Sequence, residues 1–317
     1  MADDGGVADG RWRVRAPGVT GTACAVALLL AGHHMVPDAG PRPGSLLEAF
    51  LPWLGLAVPV LAVAALVRRS RFAAVSVLLP AAVWAAVFGS RLPEGDRRAG
   101  DLTVVQHNVA EENTDPAGTA AVLVASGADL VAVEELVEPA AARYERILGT
   151  AYPYRARSGT VGLWSRYPLA DVRPLDLRPA GVPASWQRGV RATARTPRGE
   201  LAVYVAHLPS VRITATGGFA TARRDGSAAK LGALLAAEPA RRVLLLGDLN
   251  GGRDDRGLAP VFSQLTTGRQ GVGLSWPAAL PLARIDQVLG RAVTPVAGWT
   301  LPRTGSDHLP VAARIRL

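Results

Sequence analysis

The chain contains a single cysteine, Cys24, and it lies inside an apolar run. Neither a disulfide framework nor a cysteine-built metal site is available, so any metal must be held by oxygen or histidine ligands. Lysine is nearly absent too, with Lys230 the only one among 35 Lys+Arg. Ala, Gly, Arg and Pro are used lavishly, which reads as base-composition bias in the gene, so the formal charge of +9 does not by itself name an anionic partner. No internal repeat and no low-complexity tract beyond the alanine bias is present.

Long hydrophobic runs are missing after about residue 90 and crowded before it, at residues 19–36, 46–67 and 72–89. Each approaches the roughly 20 residues that cross about 30 Å of hydrocarbon as a helix. Residues 1–100 therefore read as an N-terminal membrane region and residues 101–317 as a separate soluble domain. The first run follows Arg11, Arg13 and Arg15, as in a signal peptide. Two further runs, and no Ala-x-Ala pattern near Met35, favour a retained helix.

Arginine placement sets the expected orientation, because cytoplasmic loops collect positive charge. Arg11, Arg13 and Arg15 precede the first run and Arg68, Arg69 and Arg71 lie between the second and third, whereas the first connection holds only Arg42. A cytoplasmic N-terminus and an extracytoplasmic domain in the cell membrane follow; Arg91, Arg97 and Arg98 argue weakly for the reverse.

From Asp101 the pattern turns to short β-rich runs alternating with helical ones, an α+β or α/β domain. Strands are expected at residues 102–107, 130–134, 160–164, 190–194, 201–206, 243–246, 285–289 and 311–315. One helix has Asp115 as N-cap, Pro116 in its first turn and Gly127 as its stop, and another spans residues 227–237.

Polar residues capable of metal or proton chemistry fall at the ends of these strands, where several can converge on one pocket. Leu244-Leu245-Leu246-Gly247-Asp248-Leu249-Asn250 runs an apolar strand into an acid and an amide two residues apart, which point the same way. The same pattern also suits a plain turn. Asp286 heads another apolar run, and Asp307-His308 sets an acid beside an imidazole before the last strand. His207 ends a strand and Asn108 follows one; alternation turns His107 away from Asn108 and lets only one of Glu134 and Glu135 face the pocket.

Read in order, Asn108, Glu135, His207, Asp248 with Asn250, Asp286, then Asp307 with His308 resembles the endonuclease/exonuclease/phosphatase superfamily across residues 101–317. The resemblance implies a DNase I-like four-layer α/β/β/α sandwich. It also implies a divalent ion, Mg2+ or Mn2+, at Glu135 with Asn108 and Asp307 completing or supporting its shell. Asp248 and Asn250 would position or deprotonate the attacking water, Asp286 would orient His308, and His207 would stabilise phosphoryl oxygens or assist the leaving group. The base is Asp248 or His308. This sequence departs from nuclease members in lacking an acid soon after Asn108 and in carrying Glu134 where glutamine often stands. Such a compact domain leaves little room for DNA-inserting loops, which disfavours DNA repair.

Arg212, Arg223, Arg224 and Lys230 in the segment 209–230 could grip phosphate, or simply line a solvated connection. Trp276, in Ser275-Trp276-Pro277, could meet lipid or a ring at the rim, or simply pack. Together with three apolar runs and a compact domain, the runs Gly218-Phe219-Ala220-Thr221-Ala222-Arg223-Arg224-Asp225 and Ser275-Trp276-Pro277 resemble membrane-anchored actinobacterial members associated with glycopeptide (vancomycin and teicoplanin) resistance. That resemblance implies a lipid-linked pyrophosphate substrate such as a polyprenyl pyrophosphate. The alternatives are an extracellular nuclease acting on nucleic acid, a sphingomyelinase-like phospholipid phosphodiesterase, and a receptor on a retired hydrolase scaffold.

Overall fold

The computed structural model describes residues 16–214 and 218–317, so Arg11, Arg13 and Arg15 lie outside the described residues. Two compact units form, one from Met1–Pro37 with Phe50–Ser90 and the other from Asp38–Ala49 with Arg91–Leu317. The expected boundary at residue 100 thus differs from the observed division, and a short piece between the first two apolar runs belongs with the larger unit.

The helices in this part of the chain are α1 (Pro17–Gly32), α2 (Pro43–Ala49), α3 (Ala57–Val67), α4 (Arg71–Ser76) and α5 (Leu78–Phe88). Two helical stretches, Pro17–Met35 and Arg71–Arg91, are long and apolar enough to cross a membrane, and a bent pair from Pro43 to Val67 raises the number to three if it counts as one span. The second run is not the single helix expected over residues 46–67: α2 ends at Ala49, and a 3-10 helix, Leu51–Leu56, leads into α3. Pro52 accounts for the break, since it lacks an N–H and its ring collides with the carbonyl four residues back. In the smaller unit Ala23, Leu61 and Val77 pack together, while Leu28, Val60, Val63, Phe72 and Leu78 are exposed.

The larger unit holds β1 (Leu102–Asn108), α6 (Pro116–Ala125), β2 (Leu130–Glu134), α7 (Ala140–Leu148), β3 (Tyr154–Ser158), β4 (Val161–Ser165), β5 (Leu169–Pro174), β6 (Gly189–Thr196) and β7 (Gly199–Ala206). A small hairpin, β8 (Arg212–Thr214) with β9 (Gly218–Ala220), precedes α8 (Ala222–Ala236), β10 (Val243–Asp248), α9 (Ala259–Phe262), β11 (Asp286–Arg291), β12 (Thr294–Thr300) and β13 (Val311–Arg316). One sheet runs β12-β13-β1-β2-β4-β3 and the other β11-β10-β7-β6-β5. Both are mixed, each with one parallel pair, β1 with β2 across α6 and β7 with β10 across α8.

Period-2 alternation builds the layers. Leu102, Val104, Leu130, Ala132, Leu201, Val203, Leu244, Leu246 and Val288 fill the space between the sheets. The opposite faces, through Val105, Val131 and Val133 on one sheet and Tyr204, Val243 and Leu245 on the other, receive helices through Leu123, Tyr144 and Leu148 and through Leu231 and Leu235. The result is a DNase I-like sandwich of two mixed sheets between helices, as expected. Each valine or leucine side chain fully buried here stabilises by about 1.5–3 kcal/mol, so the inter-sheet layer is a rigid base for whatever stands at its end.

Candidate active site

Extending that alternation past the apolar residues puts polar groups on the same inward face. Gln106 and Asn108 follow Val104 on β1, Glu134 follows Ala132, His207 follows Val205, Asp248 follows Leu246, and Asp286 precedes Val288. All of them are buried and gather at one end of the inter-sheet core. Gly247 makes the approach possible, because a Cβ there would overlap the Ala206 carbonyl oxygen. Glu135 and Asn250 lie just beyond their strands at φ 61° and 51°, left-handed values uncommon for such residues. That turn lets Glu135 enter the same pocket as Glu134, against the expected alternation.

Asn108 Nδ2 donates to Glu135 Oε1 at 3.0 Å and to Asp248 Oδ2 at 3.1 Å. His207 Nε2 stands 3.7 Å from Glu135 Oε1 and 3.8 Å from Asp248 Oδ2 and has no hydrogen-bond partner. His308 Nε2 approaches the same Asp248 oxygen at 3.9 Å from the other side. Asp286 orders that ring: its Oδ2 accepts from His308 Nδ1 at 2.9 Å and from Ser275 Oγ at 2.5 Å, and its Oδ1 accepts from Gln106 Nε2 at 2.9 Å. Asn250 N donates to Asp248 Oδ1, and its side-chain Nδ2 is spent on the Leu208 carbonyl.

The electrostatics divide these groups. Burial opposes charge on His308, but Asp286, Asp248 and Asp307 overcome it and hold the imidazolium up to about 10. Burial pushes Asp248 up to about 7, with His308 opposing. For Asp286, burial is outweighed by His308 and the three donors, which hold it below the usual carboxylate value. Burial, then Arg188, drives His207 well below its ordinary value, so it is neutral. Arg188 Nη1 lies 3.3 Å from His207 Nδ1; with that nitrogen facing a guanidinium, the ring proton belongs on Nε2, aimed between Glu135 and Asp248. Burial, then Asp286 and Asp248, raises Glu134 well above the carboxylate range, consistent with its Oε2 accepting only from Gln106.

A hard divalent cation fits this donor set. Glu135 and Asp248 point carboxylate oxygens at one amide. Asp248, Asp286 and His308 also bring ligand atoms within 4.8 Å of one another. Asp286 already takes three donors and Asp248 is fully buried, so Glu135, with a single donor on each oxygen and its side chain partly open to solvent, is the better carboxylate ligand.

Of the remaining expected residues, Asp307 sits at the exposed rim, with Oδ2 accepting from Trp276 Nε1 at 3.2 Å and Oδ1 4.0 Å from His308 Nε2. Trp276 is 39% exposed there. Arg223 is exposed on the first turn of α8. Arg224 does not suit a substrate grip: it is fully buried, with Nη1 and Nη2 bound to Asp255, Nε to Asp225, and Nη1 also to the Asn250 carbonyl. His107 faces outward as expected, with Nε2 on Thr304 Oγ1 at 3.0 Å. Sequence reasoning missed Gln106 and Arg188, kept Glu134 only as the alternative to Glu135, and named Ser275 only within the rim motif. Gln106 was detectable as a polar residue in phase with the core-facing positions of β1.

Two mixed sheets face to face, with carboxylates, amides and imidazoles gathered at one end, define a phosphoesterase fold of the DNase I-like class with a buried acid and histidine metal-site candidate. The chain belongs to the Endonuclease/Exonuclease/phosphatase family, which matches residues 105–308. Among solved structures, sphingomyelinase C from Streptomyces griseocarneus is 20% identical, with 68% of this chain and 99% of that chain covered at a TM-score of 0.51. A beta toxin mutant from Staphylococcus aureus with bound magnesium ions is 15% identical, covering 68% and 99% at 0.53. TDP2 from D. rerio, complexed with a single-strand DNA product, is 17% identical, covering 68% and 99% at 0.54. No curated protein matches the chain.

Proposed function

We propose that the protein is a membrane-anchored, extracytoplasmic, divalent-metal-dependent phosphoesterase that acts on a lipid-linked pyrophosphate such as a polyprenyl pyrophosphate. The observation that carries the hydrolase reading is the convergence of Asn108, Glu135, His207, Asp248 and His308 on one point, with Asp286 behind His308. Mg2+ or Mn2+ held by Glu135 beside Asn108 would polarise the phosphorus centre and offset developing charge. Asp248, raised by burial, accepts the proton of an attacking water, and the Asn250 amide keeps its other oxygen in place. His308, kept charged by Asp286, faces the same space and donates to the departing or bridging oxygen. Neutral His207 donates from Nε2 to a phosphoryl oxygen.

The rim supports a lipid-borne substrate. Trp276, Leu280 and Leu282 are exposed on one loop, at 39%, 65% and 37%. That loop is tied directly to the catalytic groups, since Ala278 N donates to the Asp307 carbonyl and Ser275 Oγ to Asp286. An apolar chain leaving the pocket would meet these side chains. Chain connectivity supports the membrane topology. The larger unit is left after Ala49 and re-entered at Arg91, so helices between them that cross a bilayer must do so an even number of times. Leu51–Leu56 and α3 together span about 28 Å, close to the thickness of a bilayer's hydrocarbon core. With Arg71–Arg91 as a second crossing, the arginine-rich segments favour a catalytic unit outside the membrane.

A panel of polyprenyl pyrophosphate, sphingomyelin and single- and double-stranded DNA, offered with magnesium to the detergent-solubilised full chain, separates the readings. Phosphate release from the first alone supports the proposal, and shortened DNA or released phosphocholine overturns the substrate class. Absence of any hydrolysis by folded protein would point to a receptor on a retired scaffold. The association with glycopeptide resistance rests on sequence resemblance, and deletion in the native host should lower the tolerated vancomycin or teicoplanin concentration if it holds.

A further inference from the structure

We infer that the segment Asp38–Ala49, which lies between the first two apolar helices in sequence, is a positioning strap for the active site, with Arg42 and Glu48 as its two fastenings. The strap is internally braced: Asp38 accepts from both the backbone N and the Oγ of Ser45, the latter fully buried. Its first fastening is Arg42, whose Nη1 donates to Thr221 Oγ1 and Asp225 Oδ2, both at 2.6 Å. The second is Glu48, itself buried, which takes the backbone N and Nε of Arg256 at 2.9 Å each and its Nη2 at 2.8 Å. Between them, Phe219 N donates to the Pro41 carbonyl, so the β8–β9 hairpin rests on the strap as well.

Both fastenings lead to the same catalytic loop. Asp225, gripped by Arg42, accepts from Arg224 Nε at 2.8 Å. Asp255, next to the residue gripped by Glu48, takes Arg224 Nη1 and Nη2 at 2.6 and 2.8 Å. The buried guanidinium between these two carboxylates then donates to the Asn250 carbonyl at 3.1 Å. Asn250 is held at φ 51°, and its N–H fixes Asp248. A left-handed residue stays put only when its surroundings over-determine it. Arg224 supplies that constraint, and the strap sets where Arg224 lies. Neither Arg42 nor Glu48 touches the reacting groups, so they act through others.

The inference rests on the hydrolase reading for its kinetic arm, and an exchange arm stands apart from it. In the full-length protein, Arg42→Ala and Glu48→Gln should each lower kcat at least about tenfold while KM moves less than about threefold. Arg42→Lys should restore most of kcat, because one ammonium can reach both acceptors that Nη1 now serves. Hydrogen–deuterium exchange should quicken in residues 248–256 in Arg42→Ala and Glu48→Gln, with β1 and β13 unchanged. Kinetics are normalised to the folded fraction from the melting curve, and Glu48→Gln, which keeps the side-chain volume, carries the test if Arg42→Ala unfolds. Unchanged exchange and unchanged kcat overturn the strap, as does a loss of activity that only tracks the folded fraction. If the wild-type chain hydrolyses nothing, the hydrolase reading fails while the exchange response still decides the strap.

Discussion

Replacing Asp286 with asparagine removes one charge and little volume at the centre of the proton machinery. Asp286 is fully buried and accepts from His308, Ser275 and Gln106. The His308 imidazolium is carried from 6.5 to about 10 chiefly by this carboxylate, against the opposing effect of burial. That rise corresponds to about 5 kcal/mol of preference for the charged ring. Without Asp286 burial wins, so the ring should lose its proton at or below its ordinary value. At about pH 8 the charged fraction should fall from nearly all to about a tenth or less, and the proton donor with it. The assay is kcat/KM for magnesium-dependent phosphate release, followed from about pH 5 to about pH 10. The expected result is a loss of at least about tenfold near pH 8, with the alkaline limb displaced downward by about two units or more. A folded Asp286→Asn protein whose alkaline limb stays within about half a unit of wild type would refute the coupling.

Other expectations follow from separate parts of the molecule. Trp276→Ala should raise KM for a polyprenyl pyrophosphate about tenfold and leave a short, soluble pyrophosphate ester unaffected; equal loss on both would make the tryptophan a packing residue. Glu238 lies in the other sheet's periphery, where burial is outweighed by Arg191, Tyr204 Oη and Ala240 N, which hold it at about 2. A depressed folded value gives stability that is present above the unfolded value near 4.5 and is lost as pH falls toward about 2. Arg191→Ala leaves that carboxylate with the exposed Arg173 as its one remaining cation among the described residues, so it should cost up to about 3–5 kcal/mol near neutrality. The deficit should shrink below about pH 4, where protonation relieves the stranded charge, and a deficit independent of pH in urea unfolding would contradict this origin.

The parts of the fold that were legible in the sequence are those buried on both faces. β1, β2, β4, β6, β7, β10, β11 and β13 all overlap expected strands, because their apolar runs are dictated by the layers on either side. Of the four edge strands in the two large sheets, only the buried β11 was expected, and β3, β5 and β12 escaped notice. β3 has exposed Tyr154, Arg155 and Arg157, and β5 is largely exposed, so neither carries an apolar signature. α7 was overlooked although Ala141, Tyr144 and Leu148 mark one helical face. The site was legible where strand ends display acids and imidazoles, and less so where long-range contact decides the role. Arg224 reads like a phosphate clamp in sequence, and only the partners Asp225 and Asp255, the latter far along the chain, reveal it as an internal brace. Glu48 sits in an apolar run and looks like an exception within a membrane helix until Arg256 is seen against it.

The most direct measurement is metal dependence in wild type and Glu135→Gln. Phosphate release by the detergent-solubilised full chain should cease with a chelator and return with magnesium or manganese. Glu135→Gln should need about 10–100 times more metal for half-maximal rate, with the catalytic unit still folded. Hydrolysis that persists in chelator, or a Glu135→Gln protein with the wild-type metal requirement, would contradict the assignment of this pocket as a cation-dependent catalytic centre.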